Sequence, residues 1–398
     1  MEAKLVSVSV SKRMARVKPS PTSAVVALAA ELRAAGRNII SLGAGEPDFS
    51  TPEHIREAGK KAIDSGETRY TPIDGTMELK LAIQKKFARD NSLHYEPGQI
   101  LVSGGAKQTC FNACQAILGP GDEAIVPAPY WVSYPDMIRL ADAEPVIIDT
   151  DIDSGFRVSP AKLEAAISRK TRFLFLNSPS NPTGACYSRQ QLVELGEVLK
   201  AHTSIVIASD EIYEHIYWAE TPFCSFAEAC PELMDRTITI NGVSKSYAMT
   251  GWRIGYAGGP QAIIAAMKTI QSQSTSNPCS ISQAAATVAL NGDQSCVGRM
   301  RNAYRERHDY IVEALNEIPG FECGKTDGAF YAFPRITGAL EKLGLAGDAD
   351  LVAWLLSEAD VAMVPGSAFG APGYVRVSFA CSLDTMREAI GRIRKAIQ

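Results

Sequence analysis

The stretch Thr237-Ile238-Thr239-Ile240-Asn241-Gly242-Val243-Ser244-Lys245-Ser246-Tyr247-Ala248-Met249-Thr250-Gly251-Trp252-Arg253-Ile254-Gly255-Tyr256 decides how the chain is read. The apolar and β-branched run from Thr237 to Ile240 predicts a buried strand, and Ile254 to Ala257 predicts another. Lys245 then falls on a loop over a sheet edge, with Arg253 eight residues beyond it. A lysine amine held there can condense with a carbonyl to form an imine, and the planar arginine fork matches a phosphate ester. Taken alone, the pair also suits a plain solvated loop, because most charged loop residues face water.

Working outward, short apolar runs alternate with helical patterns from about residue 100 to 272. They are Ile100 to Ser103, Ala124 to Val126, Pro145 to Asp149, Arg172 to Leu176 and Ser204 to Ala208, followed by the two strands above. Such alternation predicts an α/β fold, with a mostly parallel sheet covered by helices on both faces. Ligands in such sheets gather beyond the carboxyl ends of the strands. From about 296 onward the rhythm changes to a smaller α+β pattern, ending in a helix from Leu383. A helix from Ala24 to Ala35 is expected to pack with it. The expected organisation is an N-terminal arm (1–19), a large domain (50–295) and a discontinuous small domain (20–49 and 296–398).

Composition bounds the partners. The chain has 398 residues, more than one hydrophobic core usually serves. Forty basic residues against forty-four acidic ones leave a net charge of −4 with no dense basic cluster, so nucleic acid has no electrostatic support. Nine cysteines, odd in number and without a Cys-x-x-Cys pair, argue against a disulfide framework and against a metal site. No run approaches the length of a membrane span and the N-terminus lacks a secretory core, so a cytoplasmic protein is expected.

Several residues fall where those strands should end. Gly104-Gly105-Ala106-Lys107 follows a strand and opens a helix, so free amides and the positive helix end would face an anion. It fits neither a Walker loop nor a dinucleotide fingerprint, and Gly43-Ala44-Gly45-Glu46-Pro47 also fails the glycine spacing. Asn181 stands in an Asn-Pro-x-Gly turn after the strand ending near Leu176. Asp210 closes another strand and, if buried, needs a cation or donors; a protonated pyridine nitrogen would serve. Trp131, just past Pro127-Ala128-Pro129, could be core or could stack on a planar ring. Arg376 in Tyr374-Val375-Arg376-Val377-Ser378 faces away from both valines, and an inward arginine suits a carboxylate. The aldehyde of pyridoxal phosphate (PLP) is one carbonyl that such a lysine takes.

Taken in order, the chain resembles fold type I PLP-dependent aminotransferases, and bacterial aspartate aminotransferases of subgroup Iβ in particular. The resemblance runs from Ser41-Leu42-Gly43-Ala44-Gly45-Glu46-Pro47-Asp48-Phe49 through Tyr70-Thr71-Pro72, Asn181-Pro182-Thr183-Gly184 and Ser209-Asp210-Glu211-Ile212-Tyr213 to Ser244-Lys245 and Arg376. It implies that Lys245 holds the cofactor covalently, Asp210 pairs with the ring nitrogen, and Asn181 and Tyr213 bond the ring oxygen. Trp131 would stack on the ring, while Gly105, Ala106, Ser244 and Arg253 would take the phosphate. Tyr70 would reach the phosphate of a neighbouring subunit, which implies a homodimer with shared sites. Gly45 and Arg376 would bind the substrate α-carboxylate. Lys107, helped by Ser20 and Thr22, would meet the distal carboxylate, since Gln271 to Pro278 offers no arginine. Gly242 departs from a common pattern with a hydroxyl residue three before the lysine.

The expected reaction moves the amino group of aspartate to 2-oxoglutarate. Amino acid and 2-oxo acid substrates are implied, with prephenate or aromatic substrates as the alternative. A different PLP reaction, or a ligand sensor carrying the same fold, are the other readings; a sensor would need a DNA-binding module, and none is expected before residue 20.

Overall fold

A computed structural model describes residues 9–19 and 21–398. After a short strand, Ile40–Ser41 (β1), seven strands build the main sheet: Ile100–Ser103 (β2), Glu123–Ala128 (β3), Glu144–Asp149 (β4), Thr171–Asn177 (β5), Val206–Asp210 (β6), Thr237–Gly242 (β7) and Gly255–Gly258 (β8). They lie in the order β2-β8-β7-β6-β5-β3-β4. Every pairing is parallel except those of β8, which runs antiparallel to β2 and β7. The inner strands are apolar continuously because both faces are covered. Phe173 and Phe175 enter one core with Ala208, Ile238 and Ile240, while Leu174, Leu176 and Ile207 enter another with Leu192, Leu195 and Leu199.

One expected strand shifts. The run Ser204 to Ala208 pairs only from Val206 and continues to Asp210, because the Ile205 amide is taken by the His202 carbonyl in the preceding turn. The shift carries Asp210 into the sheet opposite Asn177, so the carboxyl ends of β5 and β6 finish level.

The remaining strands are Tyr331–Ala332 (β9), Val361–Ala362 (β10), Val364–Pro365 (β11) and Val375–Ser378 (β12). The run Val361 to Val364 divides at Met363, and its halves serve different partners: β10 pairs with β1, and β11 with β12. The expected strand Gly328 to Phe333 is short, since Ala329 turns with φ 58° and a proline follows Phe333. The N-terminal helix spans Pro21–Ala34, starting earlier than expected; proline's fixed φ suits a first helical position. Its Ala29 packs with Ile39, Leu356 and Ala362. All nine cysteines are unpaired thiols, mostly buried. Among the described residues no helix is long and apolar enough to cross a membrane.

Candidate active site

Lys245 sits where β7 gives way to β8. Its Nζ donates to the Gly45 carbonyl and lies 5.7 Å from the Tyr213 ring and 5.6 Å from that of Phe330. Burial, reinforced by Arg376 and Arg253 against the pull of Glu46 and Asp210, lowers its pKa to about 8. A buried amine surrounded by other cations gives up its proton easily.

Asp210 ends β6 only 4% exposed. Its Oδ2 accepts from the Tyr134 hydroxyl at 2.6 Å and from the Cys110 thiol at 3.9 Å, and its Oδ1 from the Ile212 amide at 3.3 Å. Burial nevertheless holds its pKa above the ordinary value. Arg376, 2% exposed, donates through Nη1 to Asn181 Oδ1 at 2.9 Å and through Nη2 to the Gly43 carbonyl at 2.8 Å. Its guanidinium lies over the rings of Tyr331 and Phe369 at 4.6 and 4.9 Å. The Tyr213 and Tyr331 hydroxyls are 2.8 Å apart. Arg376 Nε and Thr22 Oγ1 are buried without a hydrogen-bond partner among the described residues. Such groups are rare unless something else satisfies them.

Two glycines let the anion-facing loops close together. Gly105 has φ 92°, and a Cβ there would stand 2.1 Å from Arg253 Nη2; a Cβ on Gly255 would stand 2.1 Å from the Ala106 amide nitrogen. Arg253 itself takes φ 57° and is held by the carbonyls of Thr250 at 2.9 Å and Gly104 at 3.3 Å. The first turn of the helix Ala106–Ile117 carries amides with no intrahelical acceptor. Gly242, in place of a hydroxyl residue, is also explained: a Cβ there would meet the Ile254 carbonyl at 3.0 Å and Gly255 Cα at 3.1 Å. Lys107 Nζ lies 4.9 Å from the Trp131 ring, and burial together with Arg253 lowers its pKa.

The profile of the family described as aminotransferase class I and II matches residues 37–393. The chain belongs to the class I and II aminotransferases. This aminotransferase is 54% identical over 389 residues to the aspartate/prephenate aminotransferase of Nitrosomonas europaea, an alignment that covers 96% of the chain and 98% of that protein. The crystal structure of the aspartate aminotransferase from Rhizobium meliloti superposes with a TM-score of 0.93 at 47% identity, covering 98% of this chain and 99% of that one. The Thermus thermophilus aspartate aminotransferase with maleate gives 0.92 at 41% identity, covering 98% and 100%. The aminotransferase is therefore a PLP-dependent transferase acting on amino and 2-oxo acids.

A cavity of about 450 Å³ gathers most of the residues singled out by sequence. Thr22, Gly45, Ala106, Lys107, Trp131, Asn181, Asp210, Tyr213, Ser244, Lys245, Arg253 and Arg376 all line it. Gly105 lies behind its wall, against Arg253. Tyr70 does not line it and is 92% exposed. Ser20 lies outside the described residues. Sequence reasoning on this aminotransferase missed Tyr134, Tyr331, Glu46 and Thr250, which also line the cavity. Tyr134 and Tyr331 stand in no motif, and only folding brings them to Asp210 and Tyr213. Glu46 lies inside the stretch Ser41 to Phe49 that carries part of the resemblance, where only Gly45 is given a role, and its Oε2 accepts from Thr250 Oγ1 at 3.0 Å.

Proposed function

We infer that this aminotransferase transfers the amino group of aspartate to 2-oxoglutarate, with PLP held on Lys245. The observation carrying the reading is that one cavity presents a readily deprotonated lysine together with three further cationic side chains: Arg253, which would take the phosphate, and Arg376 and Lys107, which are left for substrate. Two fixed cations beside a reactive amine suit substrates with two carboxylates. Maleate, which accompanies the Thermus thermophilus enzyme in its structure, is itself a four-carbon dicarboxylate.

The residues fit a phosphorylated pyridine aldehyde. Gly105 and Gly255 leave the room that a phosphate-gripping turn needs, and Asp210 is a buried carboxylate that a ring cation would neutralise. Gly105, Ala106, Ser244 and Arg253 would take the phosphate, Asn181 and Tyr213 the ring oxygen, and Trp131 a ring face. When bound, the cofactor supplies the electron sink into which the Cα–H bonding pair is drawn.

The chain's own residues do the rest. Lys245, once the substrate's amine displaces it from the cofactor, is a free amine whose pKa near 8 leaves it neutral in roughly a tenth of molecules at pH 7, enough to take a proton from Cα and return it elsewhere as general base and then acid. Arg376 is already oriented by Asn181 and the Gly43 carbonyl, so its fork meets the α-carboxylate without first being ordered. Lys107 would hold the distal carboxylate, its ammonium steadied over Trp131. The unsatisfied Thr22 hydroxyl would join it.

Tyr70, exposed in this chain, supports a homodimer in which each copy completes the phosphate site of the other. A second reading, prephenate as an additional amino acceptor, is favoured by the name of the Nitrosomonas relative. Prephenate also carries two carboxylates, so the same pair of cations would serve. A coupled assay with aspartate, alanine and phenylalanine as donors and 2-oxoglutarate and prephenate as acceptors tests both. Aspartate should give the highest kcat/KM of the donors. A preference for alanine or phenylalanine over aspartate would overturn the dicarboxylate reading.

A further inference from the structure

His215 lies two residues beyond Tyr213 and faces Ser246, the neighbour of Lys245. Its Nδ1 is 3.1 Å from Ser246 Oγ, and its Nε2 is 3.1 Å from Asp90 Oδ2 and 3.5 Å from Glu214 Oε1. Behind it, outside the cavity, stands a charged network that is buried at Lys86, Asn91 and Glu214 and reaches the surface at Arg89. Lys86 pairs with Glu214 and donates to Asn91 Oδ1 at 2.7 Å, and Asn91 donates to Glu214 Oε2 at 2.8 Å. Arg89 grips Asp90 through two bonds of 2.6 and 2.9 Å. Tyr247 packs edge-on to the imidazole, with ring centroids 6.4 Å apart.

The network settles which way the imidazole bonds. Burial would raise both carboxyl pKa values, but His215 and Arg89 around Asp90, and Lys86 and His215 around Glu214, hold them below ordinary, so both remain acceptors. A carboxylate cannot donate, so Nε2 carries the hydrogen. Nδ1 is then left to the Ser246 hydroxyl, accepting from it in the neutral ring and donating to it in the imidazolium. Ser246 is 2% exposed, and its hydroxyl links the Lys245 loop to the segment that holds Asp210 and Tyr213.

We propose that His215, through Ser246, is a positioning residue that holds the Lys245 loop at a fixed distance from the Asp210–Tyr213 segment. The network behind it keeps the imidazole from turning. The inference rests on Lys245 being the cofactor lysine.

The test uses the holoenzyme with S246A, which removes a single oxygen, alongside H215F and H215N. Each is followed by kcat, KM for aspartate, and the pH at which the absorbance of the bound cofactor changes. S246A and H215F should lower kcat about tenfold with KM within about twofold, because a displaced base costs rate more than binding. They should also shift the spectroscopic midpoint, and H215N, which can still bond Ser246, should recover most of the loss. Variants with lower melting temperatures but parental midpoints and kcat would show a merely structural network and overturn the proposal. Borohydride reduction of the parent followed by peptide mapping separates the two levels: an adduct at Lys245 leaves the variants to decide, and an adduct elsewhere overturns both.

Discussion

Replacing Lys245 with methionine should abolish transamination and yet stabilise the cofactor-free protein at neutral pH. The ammonium is held where burial, Arg376 and Arg253 oppose its charge, which brings its pKa from 10.5 to about 8. A tenfold change in proton affinity is worth about 1.4 kcal/mol, so the folded chain carries about 3 kcal/mol of electrostatic cost whenever this lysine is charged. Its sign follows from linkage. Below about pH 8 the amine is protonated in both folded and unfolded chains, and the full cost is present. Between about 8 and 10.5 the unfolded chain keeps a proton that the folded chain has released, so parent stability rises with pH, and above 10.5 the cost is gone. Methionine removes the charge at similar volume and suits the contacts with Tyr213 and Phe330. Against the gain stands the lost bond to the Gly45 carbonyl, about 1 to 2 kcal/mol. The net expectation is about 1 to 2 kcal/mol of added stability at pH 7, shrinking by about 2 kcal/mol near pH 10 as the parent sheds its proton. Urea unfolding of both apo proteins at the two pH values measures it. A methionine variant less stable at pH 7, or an advantage that does not fall with pH, would refute the reasoning.

Arg376→Ala should cost about 2 to 5 kcal/mol in transition-state binding, roughly 30- to 5,000-fold in kcat/KM, for amino and oxo acid alike. Unchanged KM for both partners would remove its role as carboxylate clamp. Lys107→Ala should weaken aspartate and 2-oxoglutarate by about 10- to 100-fold while sparing alanine, the loss of one charged hydrogen bond; equal losses on alanine would place Lys107 elsewhere than at the distal carboxylate. Gly255→Ala forces a methyl to within 2.1 Å of the Ala106 amide nitrogen, so β8 or the Gly105 turn must move. It should lower stability by about 1 to 3 kcal/mol and loosen the cofactor, as read by fluorescence during dialysis. Parental retention of the cofactor would mean that the glycine approach does not shape the phosphate site.

The main sheet was legible because strands buried on both faces must be apolar throughout, and Thr237 to Ile240 or Arg172 to Leu176 leave little else to form. The cavity was legible where chemistry sits at a strand end: Asp210 closing β6 and Lys245 beyond β7 are placed by the chain's own direction. Arg376 was legible from alternation alone, since an arginine facing away from Val375 and Val377 stands on the other face of β12. Where the reading slipped, a neighbour distant in sequence decided the outcome. Val361 to Val364 broke in two because β1 takes one half and β12 the other. Gly328 to Phe333 shortened around the turn at Ala329.

By itself the sequence determined the order of strands and helices, the polar residues at the strand ends and the absence of any charge excess for nucleic acid, all of which are properties of short range or of composition. Tertiary structure alone decided that Tyr134 supports Asp210 from 76 residues away, that Tyr331 meets Tyr213 across 118, and that Asn181 orients Arg376 across 195. Tyr134, Tyr331 and the pull of Glu46 on Lys245 carry no local signature. A side chain's hydrogen-bond partner and the local dielectric depend on which surfaces the whole chain closes together, and no window of residues contains that information.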